Sequence, residues 1–463
     1  MEPPGTAASA VEDATRRLVA LRYRIIRTTI SPKDTLLRLI NSELSFLRRI
    51  SASTPSSSPH SFNVGHLEAV VHVLQLPSIT GVSRVCKSIA LSPSHSIYVD
   101  IVCSMNGNPV WFVVSDRNPR YISWDGGPSE KIKGLKFRIA QVVDAASQAP
   151  VTLRPSSVVL FFSNGLDESI CQKIKKEYES INLEMDPFSY EEFELEHEWT
   201  NVVVGRSFMH ACVIQIKVDW NCHETNGRNL SNSSSRLDKP ISCNKIDEFS
   251  DMNLGKSFWS LISGMKCWCC SLAVDTAPEV GLLKVSLGGA RTKLVNFDTT
   301  AMIAIVSGIS NGGTERLLAT PESELVGRFK GNYEFVIAQI NSEIQSPVIS
   351  ELSAVVSGKR GIICQSVYSE FQELISMYGG PNEKLRAKCL QKLLKVMPDC
   401  PSTRLASLKT TRKLALKNKV VFGTGDYWYA LTLTANMAFV RAVSQTGMSL
   451  YVLEHRPRAL IGD

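Results

Sequence analysis

Carboxylates are the residues of this chain whose types and placement best suit chemistry. Asp298 closes the apolar run LVNFD, Glu370 lies within SVYSEFQEL, and Asp426 closes VVFGTGD. Oxygen donors gathered without histidine or cysteine suit hard cations, so this set points to Mg²⁺ or Mn²⁺. A cation held in this way activates water and offsets the charge that develops on a phosphodiester. Crowded carboxylates repel one another, so the three are expected together only where an ion binds. Singly, each has a plainer role. Asp298 before Thr299-Thr300, and Asp426 after Gly425, suit a helix cap or a turn, and Glu370 with Glu373 suits an exposed helix face.

The elements that would position these acids alternate along the chain. Residues 294–297 predict a strand ending at Asp298, followed by a helix, and residues 342–356 hold a second helical pattern. Residues 361–380 read as a short apolar strand and a helix carrying Glu370, closed by Gly379-Gly380. A helix over 381–394, a short strand to Asp399 and a helix over 402–416 follow. Residues 420–422 read as a strand broken at Gly423 and Gly425, delivering Asp426; the segment after it reads as a helix, and 448–453 as a last strand. Such alternation predicts an α/β fold, a parallel sheet with flanking helices. Open sheets of this kind place ligands in the crevice outside the carboxyl ends of their strands. Lys409, Arg412, Lys413, Lys417, Lys419 and Arg441 surround the expected rim and suit either phosphate contacts or solvated helix faces. Trp428 and Tyr429 suit base stacking or core packing.

The order VNFDTT, SVYSEFQEL, VVFGTGD resembles a PIN-like nuclease domain over residues 285–463. The resemblance implies a small α/β fold whose acids bind Mg²⁺ or Mn²⁺ and cleave single-stranded RNA. It assigns the catalytic and metal-binding roles to Asp298, Glu370 and Asp426. A further acid, expected at a helix start between Glu370 and Asp426, is missing: residues 402–419 contain none, and Asp399 is the nearest. In the alternative alignment Asp426 is that helix-starting acid and Asn436 stands in for the last one, coordinating through its amide oxygen without charge. Lys413, Lys417, Lys419 and Arg441 are the nucleic-acid-binding candidates. The segment FGTGDxxxAxTxTAN, with FVRA and PRAL after it, further resembles an uncharacterised eukaryotic protein family known only as a domain of unknown function. The expected activity is that of a divalent-metal-dependent endoribonuclease acting on single-stranded RNA, or of a weakened descendant. The alternative is a non-catalytic RNA- or protein-binding module that keeps the PIN-like shape.

The rest of the chain bounds these readings. With 463 residues it exceeds one ordinary domain, and its 44% hydrophobic and 21% charged content is that of a globular protein. A net charge of +7 permits a nucleic-acid partner without demanding one. The start, MEPPGTAASAVEDA, lacks the pattern of a secretory signal, and no apolar run is long enough to span a bilayer. The 12 cysteines are scattered, many inside apolar runs, which favours reduced thiols and a cytoplasmic or nuclear setting.

The region 1–50 predicts a helical segment of two amphipathic helices, a surface for protein partners. Leu18, Leu21, Ile25 and Ile26 share one face, and Leu36, Leu37, Ile40, Leu44 and Leu47 another. A Ser-rich linker, 51–61, leads to a smaller α/β domain, 62–220, with a hairpin turning at Asn106-Gly107. Asp100 stands where metal-dependent restriction-type nucleases begin their site, but residues 111–115 supply neither the second acid nor the lysine, so this domain reads as non-catalytic or, at most, as a decayed nuclease-like fold. A disordered insertion is expected over 221–250. Cys222-His223, Cys243, Cys267, Cys269 and Cys270 raise the question of zinc, but their spacing does not match paired ligands.

Overall fold

The structure is a computed structural model that describes residues 7–27, 32–52, 62–92, 95–126, 133–184, 208, 210–218, 254–268 and 294–463. Most of the Ser-rich linker, the insertion at 221–250, Cys222, His223, Cys243, Cys269 and Cys270 lie outside the described residues. The chain divides into two compact units. The first spans 1–220 with 444–450; the second holds 254–268, 291–443 and 451–463.

In the first unit, α1 (Ala7–Arg27) and α2 (Lys33–Ala52) bury the expected faces, Leu18, Leu21 and Ile25 on one and Leu36, Ile40, Leu44 and Leu47 on the other. Ile26 departs from its expected face and is exposed. Then come α3 (Val64–Leu74), β1 (Ile79–Ser92), β2 (His95–Met105), β3 (Asn108–Ser115), α4 (Leu135–Gln148), β4 (Ser157–Phe162), α5 (Glu168–Tyr178), β5 (Ile181–Asn182) and β6 (Cys212–Lys217). The sheet runs β1-β2-β3-β4-β6-β5, antiparallel except where β3 meets β4. The β2–β3 turn is as expected: Asn106 and Gly107 take φ of 49° and 82°, the left-handed pair that a two-residue hairpin needs. Apolar layers cover both faces of this sheet. One joins Leu18, Leu36 and Val70 to Phe112 and Phe161; the other joins Ile139 and Ile174 to Trp111 and Leu160. The two N-terminal helices therefore share a core with the sheet. Strand β1 was not foreseen, because ITGVSRVCKSIALS mixes polar and apolar residues and its pairing with β2 is interrupted.

Among the described residues, the second unit opens with α6 (Lys256–Gly264). It continues with β7 (Leu294–Phe297), α7 (Thr299–Val306), α8 (Gly313–Ala319), α9 (Glu322–Phe329), α10 (Tyr333–Gln345), α11 (Val348–Val356), β8 (Arg360–Cys364), α12 (Gln365–Tyr378), α13 (Pro381–Leu393) and β9 (Lys395–Met397). The last elements are α14 (Thr403–Ala406), α15 (Leu416–Tyr427), β10 (Leu431–Thr434), α16 (Met437–Gln445) and β11 (Val452–Glu454). Its five strands are all parallel, in the order β11-β10-β7-β8-β9. The chain builds outward from β7 through β8 to β9, then returns to lay β10 on the other side of β7. The crevice between β7 and β10 is thus the point at which the strand order reverses.

Several expectations for this unit need correction. The run VVFGTGD is not a strand: it is the last part of α15, and Asp426 sits in that helix's final turn. Its glycines serve packing. A Cβ on Gly425 would lie 2.2 Å from Thr432 Oγ1, and one on Gly423 2.9 Å from Pro401 Cα. Small residues let the helix approach the sheet, and Val421 and Phe422 are buried, Phe422 with its ring 4.6 Å from that of Phe439 in α16. The segment that follows is not one helix, because the alternating Leu431-Thr432-Leu433-Thr434 forms β10 before α16 begins. The helix expected over 402–416 is confined to α14, and the pattern at 342–356 is divided at Pro347, which lacks an amide proton for a helical bond. The last strand begins at Val452, later than expected.

Two buried carboxylates hold the end of the chain. Glu383, fully buried in α13, accepts backbone N–H groups from Gly308, Gly380, Ile461 and Gly462 at 3.0–3.1 Å. Glu343 pairs with Arg458 at 2.6 Å, so the PRAL segment is anchored by charge. Among the described residues, no helix is long and apolar enough to cross a membrane.

Candidate functional site

Asp298 directly follows β7 and caps α7. Its Oδ1 accepts the Ala301 amide at 2.8 Å and the Thr300 hydroxyl at 2.7 Å, which is why the chain turns from strand to helix here. Its Oδ2 accepts the Thr434 hydroxyl at 2.5 Å from the end of β10, across the reversal point of the sheet. Thr300 Oγ1 also receives the Ala435 amide at 2.8 Å and lies 3.5 Å from His455 Nε2. Burial pushes the Asp298 carboxyl above its ordinary value, against the pull of the hydrogen bonds from Thr434, Thr300 and Ala301. Burial likewise holds His455 below the usual imidazole value.

Glu370, one turn into α12, stands beside this crevice. Its Oε2 accepts Thr299 Oγ1 at 2.5 Å, and its Oε1 is ion-paired with Lys417 Nζ at the start of α15. Glu370 also lines a cleft of about 480 Å³ with Gln365, Ser366, Ser369, Glu373, Asp399 and Lys417. Asp399 follows β9 and accepts the backbone N–H of Ser366 at 3.0 Å as well as its hydroxyl. The cleft therefore lies at the carboxyl ends of β8 and β9, the edge where parallel sheets hold ligands. Asn436 reaches the same edge by following β10, and its Oδ1 caps α16 through the Phe439 amide at 3.3 Å.

Asp426 is elsewhere. It precedes β10, whereas Asp298 follows β7, and those strands are paired in parallel register from Leu431–Val295 to Leu433–Phe297. The two acids therefore belong to opposite ends of the strands. Asp426 forms an ion pair with Arg404 at 3.1 Å, each side chain 8% exposed, and accepts Ser402 Oγ at 2.6 Å. Trp428 and Tyr429 lie with it, away from Asp298. Asp298, Glu370 and Asp426 do not form a group whose donor atoms all lie within 4.8 Å of one another.

The basic residues separate in the same manner. Lys417 borders the cleft, and Lys413 and Arg441 are exposed. Lys419 is buried, donating to Leu408 O at 2.7 Å and Thr410 Oγ1 at 3.2 Å, so it fastens the loop before α15 instead of facing solvent. Sequence reasoning left Asp399 at the margin and missed Ser366 and His455. Their common signal is position, since each lies one or two residues beyond a parallel strand.

Mg²⁺ is commonly held by one or two carboxylates with waters completing its shell. Glu370 and Asp399 are oxygen donors on one open cleft, with Asp298 behind Thr299, but these acids form no group of three whose donor atoms all lie within 4.8 Å of one another. No solved structure matches this chain. Residues 295–463, which begin within β7 and run to the end of the chain, match a family described as a protein of unknown function (DUF1308), so the segment holding this sheet edge is a domain of unknown function.

Proposed function

We propose that the second unit is a PIN-like domain that binds single-stranded RNA and carries a weakened divalent-metal endoribonuclease site at the edge holding Asp298, Glu370, Asp399 and Asn436. The observation that carries this reading is the shared cleft of Glu370 and Asp399, beside the acid that ends the first strand of the sheet. A divalent cation there would supply an activated water and charge neutralisation at phosphate. Lys417, with the exposed Lys413 and Arg441, provides positive charge for the RNA backbone. Weakness follows from the donors: Asn436 brings no charge, Asp426 is committed to Arg404, and Lys417 must leave Glu370 before an ion can bind fully.

Manganese titration of the purified chain, read by thermal unfolding, tests this directly. A stabilisation lost in Glu370→Gln, together with Mn²⁺-dependent cleavage of an end-labelled single-stranded RNA, supports the enzyme. The second reading, a non-catalytic RNA- or protein-binding module, is favoured by the Lys417–Glu370 pair, in which a protein cation already holds the acid. RNA binding without cleavage at any Mn²⁺ concentration selects it. Absence of both a Mn²⁺ response and RNA binding overturns the enzyme and the RNA-binding form of the second reading, leaving a protein-binding module.

A further inference from the structure

We propose that His66, Cys86 and Asp100 of the first unit form a binding site for one divalent cation of the zinc class. Each offers one donor atom, and the three atoms lie within 4.8 Å of one another, the one such group among the described residues. His66 Nε2 is 3.0 Å from Asp100 Oδ1. Tetrahedral zinc with ordinary bond lengths places N, O and S donors about 3.3–3.6 Å apart, so small side-chain adjustments close the site. The convergence separates this group from a nucleophilic triad. There, cysteine and acid flank opposite nitrogens of the imidazole and stay far from each other.

Each donor comes from a different element, and the backbone is arranged to deliver it. His66 lies in the first turn of α3, a helix tied to α1 by the Arg17–Glu68 ion pair at 2.5 Å. Cys86 holds a φ of 48° within β1, a left-handed conformation uncommon for a residue with a side chain and costly to maintain. The β1–β2 register passes from Val85–Ile101 to Lys87–Val99 without a Cys86–Asp100 pair. On the other side, the β2–β3 ladder ends at Ile101–Phe112, and beyond it Asp100 Oδ2 accepts the Val114 amide at 2.7 Å. The strands thus fork at Asp100.

Asp100 is the member whose two oxygens face different partners. The residue is only 3% exposed, and its buried Oδ1, 3.0 Å from His66 Nε2, takes no hydrogen bond from any group outside the cluster. One oxygen is fixed by the backbone while the other faces His66, so an ion entering between them would exchange that pair for two metal bonds, with the Val114 amide as the outer contact that orients the carboxylate. A thiolate with an imidazole selects zinc-like ions over Mg²⁺ or Ca²⁺, and three protein donors leave a fourth position open. The His66 side chain is 23% exposed, which gives an ion a way in. The sequence conceals the site because its donors are spread over a helix and two strands with no local motif.

The test uses the full chain and the metal alone. Co²⁺ titration should give a thiolate-to-metal charge-transfer band saturating at one equivalent, and dialysis against Zn²⁺ should leave one zinc per chain by mass spectrometry. Cys86→Ser and His66→Ala, each checked for native circular dichroism, should weaken binding at least tenfold, whereas Cys400→Ser should not. Should those variants misfold, alkylation of the wild-type chain decides: Zn²⁺ should protect Cys86 from iodoacetamide in peptide mapping. No thiolate band, unchanged affinity in folded Cys86→Ser, or no protection of Cys86 overturns the proposal.

Discussion

Asp426, in the last turn of α15, receives Arg404 and Ser402, and its side chain is 8% exposed. Glu370, in α12, is 28% exposed and opens onto a cleft beside Asp399. Both acids belong to helices that flank one parallel sheet and both hold a protein cation, but Asp426 is closed in with Arg404 whereas Glu370 meets Lys417 on an open cleft. The difference teaches that a carboxylate's neighbourhood, and not its adjacency to an apolar run, decides whether it can serve a ligand. A buried acid with a bonded cation is part of the scaffold. An acid at the carboxyl end of a strand, on a cleft, can take an ion.

Breaking the closed end should cost the most. Asp426→Ala leaves Arg404 buried without its carboxylate and should lose about 3–5 kcal/mol in urea unfolding. Any Mn²⁺ response should survive in the fraction that folds. Loss of that response from the folded protein would return Asp426 to the metal site. Gly425→Ala tests the helix–sheet approach: the added methyl, 2.2 Å from Thr432 Oγ1, should cost about 1–3 kcal/mol by overpacking. A neutral result would show that α15 can shift outward freely.

Asp298→Asn sharpens the comparison through pH. Burial raises the folded carboxyl above its ordinary 3.8, so the folded state binds its proton more tightly than the unfolded chain. Below 3.8 both states are protonated and the ionised form imposes no cost; as pH rises through the folded value that cost grows to its full size. Asparagine can keep the helix cap without the charge. The variant should therefore gain stability relative to wild type as pH rises from 4 toward neutrality, measured by thermal unfolding across that range. A stability difference that does not vary with pH would count against a strained ionised acid.

The smallest stability effect belongs to the open edge. Lys417→Met removes a partly exposed ion pair and should change stability by less than about 1 kcal/mol. It should lower the Mn²⁺ concentration needed to stabilise the protein, because Glu370 no longer holds a competing cation. Unchanged Mn²⁺ dependence would separate Glu370 from any metal site.

Much of the fold was legible where local chemistry and burial agree. Asn106-Gly107 could only turn a hairpin, and Asp298 between LVNF and Thr299-Thr300 announced a strand, a cap and a helix. The apolar faces of α1 and α2 followed from spacing, except at Ile26. VVFGTGD was misread because valine, phenylalanine and glycine suit either a strand end or a tightly packed helix, and only the nearness of Asn296 and Thr432 distinguishes them.

Sequence alone determined the acids present, the alternation that makes a parallel sheet, and the turn and cap at which Asp298 stands, because these depend on neighbours a few residues apart. Tertiary structure alone decided which acids meet. It placed Asp399 beside Glu370, sent Asp426 to Arg404, and gathered His66, Cys86 and Asp100 from three elements. The physical reason is that ligand sites are set by distances across a sheet and by which donors remain unpaired after packing, and neither quantity is written in residue spacing.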